Sequence, residues 1–536
     1  MPDSMSGYGG CEDSATLSDY GESVEDQDYT GGTSYISLPP DYSGTDPEPD
    51  EDEEYTTMPV QPCPLKDKAK QRPPITIRAG MYFDGTGNNK SNIKIRKEQE
   101  RIDSGEAEDY AGRQTIPDKH MDYLASYYAD FSNVARMERF AKPYEGVDAS
   151  IIIYTEGMGT TNAGADDVIG SGLGQGRTGI PARVKSARQL LFFRIISASE
   201  KEGRLISRID YDSFGFSRGA ASAIHFQYMA HEDPKNNIPL KAAPYCVGGA
   251  THKVNFMGLY DTVAAYGGFA HFNDAYQLGF SVRDKATYIV HLAAGEENRA
   301  NFSLSQLSGG PDCANGVEIF LPGVHSDVGG GYNPAEPEAK RCMYWNYSHE
   351  YTHFKPSVPP DFIADKNWFV SQGWYREAEL ETKFRTRTYK DDEGNKSYRD
   401  FYLLYSKRDQ VRGEYAAIPF QLMVEFAQPY DVRFRPRHLK HKQTRVIPKL
   451  AQLHSDLRSY AYKTQSGAIT SKPTDWLHRV DPAYKKLRHE FLHYSAHYDL
   501  PTVIAGYDFF KAPVSLMKPK LENPGTARIK RTRTYY

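Results

Sequence analysis

The stretch YDSFGFSRGAASA, residues 211–223, places Ser217 between Gly215 and Gly219, behind a β-favouring run and ahead of small residues. Gly215-Phe216-Ser217-Arg218-Gly219 fits the pattern G-x-S-x-G, in which the glycines relieve crowding on a sharp strand-to-helix turn that exposes the hydroxyl. In a chain with 44 glycines the pentapeptide alone is a weak sign. Its setting adds weight. A strand is read over RLISRIDYDSFGF and a helix from Ser217 to about His231, with GAASA small enough to pack closely under a sheet. The competing reading is a plain serine at a strand end.

Outward from this turn the chain alternates strand and helix. PPITIRAGMYFDGTGNN (73–89) reads as a buried strand entering a Gly/Asn loop, and ASIIIYTEG (149–157) as a second strand opening into GSGLGQGRTG. A helix is expected from Pro181, with Val184, Ala187, Leu191 and Ile195 on one face. Further strands are expected in KVNFMGLYDTVA (253–264) and GVEIFLPGVHSDVGGGY (316–332). This succession predicts an α/β fold: a mostly parallel sheet with flanking helices. After Tyr332 the texture becomes aromatic and irregular, with a hairpin near YKDDEGNKSY and helices at 416–427, 444–463 and 481–498. The expected domains are a disordered acidic tail (1–70), a catalytic domain (71–335) and a C-terminal aromatic and helical cap or membrane-contact region (336–536). The aromatic, partly helical segment from 333 to about 430, including AAIPFQLMVEFA, is the candidate membrane contact, with ordinary core or cap packing as the alternative.

A serine hydroxyl needs a base to take its proton and a carboxylate to orient that base. Asp261 stands where an apolar run ends in GLYDTVA, and His325 heads a glycine-rich loop in LPGVHSDVGGGY. The order Ser217, Asp261, His325 is that of α/β-hydrolases. Asp327 and Asp274 are alternatives to Asp261, as are His493 and His497 to His325, and spacing does not choose among them. For the oxyanion, Arg218 supplies the backbone N–H after the nucleophile, and FDGTGNN supplies a second from Gly85 or Thr86. Asp84 in that loop also suits a turn, a metal or phosphoryl chemistry. GQGRTG (174–179) matches a dinucleotide pattern only formally, because its strand ends some twenty residues earlier, and reads better as a lid or substrate loop.

Composition bounds the rest. The 536 residues carry a net charge of −5, yet residues 1–65 hold sixteen acidic residues and no lysine or arginine. The remainder therefore has 65 basic against 54 acidic residues, a balance compatible with anionic lipid or nucleic acid, but no zinc-finger, homeodomain or RNP-type motif supports the second, and no nucleic-acid partner is expected. Cys11, Cys63, Cys246, Cys313 and Cys342 show neither disulfide nor zinc spacing. No apolar run reaches the roughly 18–20 residues needed to span a bilayer. The N-terminus lacks the pattern of an ordinary signal peptide, so synthesis and folding in a cytoplasm are expected. The proposed chemistry calls for no cofactor or metal, although it is compatible with a bound calcium.

Taken together, FDGTGNN, YTEGMGT, GFSRGAASA, GLYDTVA and GVHSDVGGGY resemble the family called domain of unknown function 2235, over roughly residues 75–335. Its best understood members are phospholipase effectors of bacterial type VI secretion, the first family of type VI lipase effectors; LRHEFLHYSAHYDL also resembles that subgroup. The resemblance implies an α/β-hydrolase fold and a Ser217, Asp261, His325 triad. It further implies phospholipase A activity (A1 or A2) on membrane glycerophospholipids, an antibacterial toxin role, a secretion spike carrier, a cognate immunity protein and action in a target cell's periplasm. The acidic N-terminus departs from the core family. Two other functions fit the same fold: a carboxylesterase or thioesterase, and a non-catalytic interaction protein.

Overall fold

The structure, a computed structural model, describes residues 71–118, 124–167, 176–231, 238, 242, 247–264, 278, 285–307, 315–347, 351, 357–390, 394, 396–497 and 533. The expected acidic tail, residues 168–175 of the glycine-rich loop, Asp274 and four of the five cysteines lie outside these residues.

The chain runs β1 (Ile75–Phe83), α1 (Lys90–Asp103), α2 (Asn133–Phe140), β2 (Ala149–Thr155), α3 (Ile180–Glu202), β3 (Ile206–Phe216) and α4 (Arg218–His231). Then come β4 (Val247–Tyr260), β5 (Tyr288–Ala294), β6 (Gly316–Leu321) and a one-turn α5 (His325–Gly329). Beyond these lie β7 (Glu336–Tyr347), α6 (Pro360–Ser371), β8 (Leu380–Lys390), β9 (Lys396–Val411), α7 (Ala417–Ala427), α8 (Ala451–Gln465) and α9 (Pro482–Phe491). Local chemistry sets several boundaries. The Asn89 side chain accepts the N–H groups of Ser91 and Asn92 at the start of α1, and Asp481 accepts from Tyr484 to start α9. α3 opens with proline in its first turn and stops at Gly203 in the left-handed region.

The first six strands form one sheet, in the order β2-β1-β3-β4-β5-β6, and every neighbouring pair is parallel. Its strands are covered on both faces, as parallel sheets require. In β1, Ile75, Ile77, Ala79, Met81 and Phe83 join a core with Val184, Leu191 and Ile195 of α3 and Ala221 and Ile224 of α4. Tyr82, one residue out of phase, joins the opposite core with Val134 and Met137 of α2 and Phe420 and Val424 of α7. Between β1 and β3 the strand order reverses, and open α/β sheets bind ligands at such switch points, beyond the carboxyl ends of the strands.

Two expectations change here. The irregular segment after Tyr332 contains a second sheet, antiparallel, in the order β7-β9-β8. AAIPFQLMVEFA is not a membrane-facing surface: from Ala417 to Ala427 every residue except Glu425 is buried, within the core between α2 and the parallel sheet. A helix apolar on all sides is a core helix. Among the described residues no helix is long and apolar enough to cross a membrane.

Arg408 of β9 ties this sheet to the end of α9. It grips Glu338 through Nε and Nη2 at 2.9 and 2.7 Å and donates from Nη1 to the carbonyls of Arg488, His489 and Leu492. Both side chains are buried. Burial alone would raise the Glu338 carboxyl, but the Arg408 charge and hydrogen bonds hold it down to about 2. Its contribution to stability is therefore present above the unfolded value of 4.5 and is lost as pH falls towards 2. Arg408→Ala, which leaves Glu338 buried without its partner, is expected to lower stability by about 3–5 kcal/mol in denaturant titration.

Candidate active site

Register brings the candidate residues to one edge. Phe216, the last residue of β3, pairs with Tyr260, the last of β4, so Ser217 and Asp261 leave neighbouring strands at the same level. The Ser217 N–H donates to the Tyr260 carbonyl at 3.0 Å, and the Ser217 carbonyl accepts from Val263 at 3.3 Å. Both turns are strained. Ser217 has φ 59° and Asp261 φ 44°, conformations that cost a non-glycine residue on the order of 1–3 kcal/mol and cluster at functional sites.

The glycines of the pentapeptide are explained by space rather than by φ. A Cβ on Gly215 would sit 2.4 Å from the Ala220 Cα, and one on Gly219 would sit 2.3 Å from the Asp84 carbonyl oxygen. β3 and α4 therefore fold tightly back on each other, and α4 abuts the end of β1 next to the serine. Arg218 Nε donates to Thr86 Oγ1 at 2.8 Å, tying the first residue of α4 to the β1 loop, and burial pushes this guanidinium down to about 10. As the first residue of α4, Arg218 carries one of the N–H groups that a helix start leaves without an intrahelical acceptor.

His325 opens α5, four residues after β6. Its Nδ1–H donates to Asp261 Oδ2 at 2.5 Å, which leaves Nε2 as the proton acceptor. The His325 backbone N–H donates to Glu297 at 3.2 Å. Its ring lies between Phe216 (centroids 4.6 Å apart) and Phe302 (4.9 Å), so the residue before the serine also walls the imidazole. Ser217 Oγ makes no hydrogen bond among the described residues. Such contacts are often long before substrate arrives. Asp261 Oδ1 accepts from the Ala294 N–H at 2.8 Å.

Electrostatics divides the roles. Burial disfavours the Asp261 carboxylate, but the Arg533 guanidinium and the His325 hydrogen bond outweigh it and hold the group well below the usual range. Burial pushes His325 down, Asp261 pulls it up, and Arg299 and Arg533 push it down again, for a net fall. A base must be neutral to accept a proton, so the acid limb of kcat/KM is expected below pH 6.5, the ordinary imidazole value. A pH profile on a neutral substrate checks this.

The rival residues have other partners. Asp327 accepts from the Val324 N–H at 3.0 Å and pairs with His493 Nδ1 at 2.8 Å, and the His493 ring stacks on Tyr332. Burial, with the Arg341 and Arg299 charges, pushes His497 down to about 3. The Gly85 N–H, expected as an oxyanion donor, is engaged by the Asp84 carboxylate at 2.8 Å in this structure. That carboxylate also accepts from Tyr154 at 2.6 Å, and burial raises it to about 6. Among the described residues no group of three or more His, Cys, Asp or Glu is gathered in a way that could hold a metal.

Several supporting residues escape sequence reasoning. His291 Nε2 accepts the Thr262 N–H at 3.1 Å while Nδ1 donates to Glu318 at 2.8 Å, bracing the turn after Asp261 from inside the sheet. Glu296 accepts the Gly323 N–H at 2.8 Å and Arg488 Nε at 2.7 Å; Glu297 binds Arg299 through both carboxylate oxygens. The adjacent acids of GEENR, following the apolar run YIVHLAA, were the available signal.

Residues 242–349 match the family model for the T6SS phospholipase effector Tle1-like catalytic domain. Over these residues the chain is similar to that domain. The matched Tle1-like segment contains Asp261 and His325 and begins beyond Ser217. A solved structure of the Tle1 effector bound to the VgrG spike from the Type 6 secretion system aligns with a TM-score of 0.56 at 22% identity, covering 86% of this chain and 94% of that one. It shows a shared fold. An uncharacterized protein from Pseudomonas aeruginosa aligns at 16% identity with a TM-score of 0.33, covering 77% of this chain and 53% of that one. A search of curated proteins gives no match.

Proposed function

We propose that this chain is a serine phospholipase of the A type, acting as a type VI secretion effector on membrane glycerophospholipids. The observation that carries the reading is the strained Ser217 turn beside Asp261 at the switch-point edge, with Asp261 hydrogen-bonded to His325. In the proposed reaction His325 Nε2 takes the proton from Ser217 Oγ as that oxygen attacks a fatty-acyl ester carbonyl. The charge on the carbonyl oxygen is met by the Arg218 N–H and by a donor of the β1 loop: Thr86, or Gly85 once released from Asp84. His325 then protonates the departing glycerol oxygen, leaving an acyl-enzyme that water hydrolyses through the same base. Asp261 orients the imidazole and faces its positive charge. No step needs a metal ion.

The same reading assigns residues 71–335 to an α/β-hydrolase-like catalytic domain and 336–536 to a region packed on it as a cap. It also entails export on a secretion spike, an immunity partner, and action at the target-cell membrane. The Tle1-like match supports the effector class, and the fold shared with a spike-bound effector supports the carrier.

Purified protein added to phosphatidylethanolamine and phosphatidylglycerol vesicles should release free fatty acid and the matching lysophospholipid, read by lipid mass spectrometry. Cleavage of soluble short-chain esters with intact vesicles would replace this reading with a carboxylesterase.

A further inference from the structure

Asp261 has a partner that the three-residue mechanism does not require. Arg533, 272 positions further along the chain, donates from Nη1 to Oδ1 at 2.5 Å and from Nη2 to Oδ2 at 2.9 Å. Its Nε donates to the Phe302 carbonyl at 2.5 Å. Arg533 is 4% exposed and Asp261 fully buried. One guanidinium thus holds both the carboxylate and the backbone of the residue whose ring walls His325.

With Arg533 in place the carboxylate is saturated. Oδ1 accepts from Ala294 N–H and Nη1, and Oδ2 from His325 Nδ1 and Nη2, so each oxygen has two donors. Rotating the carboxyl group would break all four bonds together. Without the fork, among the described residues only Ala294 and His325 itself would set its plane. A buried ion pair is weak evidence for stability, since removing two charges from water costs about as much as their attraction returns. What a planar, two-pronged guanidinium supplies is geometry.

We propose that Arg533 is a positioning residue for the serine hydrolase reaction, fixing the plane of the Asp261 carboxylate so that Oδ2 faces His325 Nδ1. The inference rests on the reading of Asp261 and His325 given above. Arg533 also bears on the charge of the base. The groups facing His325 are Asp261 and Glu297, which favour its protonation, and Arg299 and Arg533, which oppose it. Removing Arg533 leaves burial and Arg299 to oppose Asp261 at the imidazole.

The test uses the full-length protein, with kcat and kcat/KM measured against pH on phospholipid vesicles and thermal midpoints recorded alongside. Arg533→Gln is expected to lower kcat by roughly 10²-fold, the cost of a misplaced catalytic group, and to move the acid limb of kcat/KM to higher pH. Arg533→Lys, which keeps the charge but not the fork, should keep the parent's acid limb with an intermediate kcat. A merely structural role would leave the acid limb of Arg533→Gln where the parent has it, with any loss of kcat following the thermal midpoint; that outcome overturns the proposal. If Arg533→Gln does not fold, a parental kcat in Arg533→Lys overturns it instead. Ser217→Ala in the same series separates the two levels. An active Ser217→Ala enzyme defeats the hydrolase reading itself, whereas an inactive one beside unaltered Arg533 variants defeats only the positioning role.

Discussion

Ser217→Ala is expected to lower kcat for phospholipid hydrolysis by about 10⁶ while leaving the fold intact. The size follows from what the serine does in the proposed reaction. It forms the covalent acyl bond, and neither His325 nor the Arg218 N–H can substitute for it; only the smaller acceleration due to substrate binding and the oxyanion donors remains. Stability should hardly change. Alanine has the same Cβ, meets the same left-handed strain at φ 59°, and loses a hydroxyl that makes no hydrogen bond among the described residues. Fatty-acid release together with the thermal midpoint separates the alternatives: full activity in this variant would mean that the turn is only the joint between β3 and α4.

Asp261→Asn is expected to lower kcat by about 10⁴, for a different reason. The substitution preserves shape but replaces one acceptor by an NH₂ donor. If the amide NH₂ faces His325, Nδ1 must become the acceptor, the ring proton moves to Nε2, and the atom that should take the serine proton is already protonated. If the amide is turned the other way, its NH₂ meets Arg533 Nη1 and the Ala294 N–H, two donors that need an acceptor. Either orientation leaves the Arg533 charge buried without its counter-ion, which costs about 3–5 kcal/mol. This variant, unlike Ser217→Ala, should therefore lose stability as well as activity. Adding Arg533→Gln should return part of the stability and none of the activity, since it removes the stranded charge without restoring the imidazole's acceptor. Recovery of activity in the double variant would place the Asp261 carboxylate outside the chemistry.

The parts of this architecture that could be read from sequence follow local rules. G-x-S-x-G after a strand marks the Ser217 turn because the backbone needs those glycines where β3 folds back onto α4. Asp261 and His325 stand where apolar runs stop, and in a parallel sheet all such stops fall on one edge. What stayed hidden depends on tertiary partners. β5, YIVHLAA, is too short and too weakly bounded by turn residues to be separated from its surroundings. β8 and β9 carry Lys, Arg and Asp on half-exposed faces, which blurs the strand pattern. α7 is apolar all round, a pattern that a core helix and a membrane-contact segment share until burial separates them. Arg533 sits in ARIKRTRTYY, a basic stretch that reads as a solvated tail. Nothing within ten residues marks it as the partner of a carboxylate 272 positions away.

The central claim is that Ser217 is a nucleophile activated by His325. A fluorophosphonate probe, which phosphonylates only an activated serine, followed by peptide mapping, tests it most directly. The account predicts a single modified residue, Ser217, labelled in parallel with the loss of fatty-acid release and unlabelled in His325→Ala. Lipid hydrolysis that survives complete labelling, or a label on another residue that tracks the loss of activity, would contradict it.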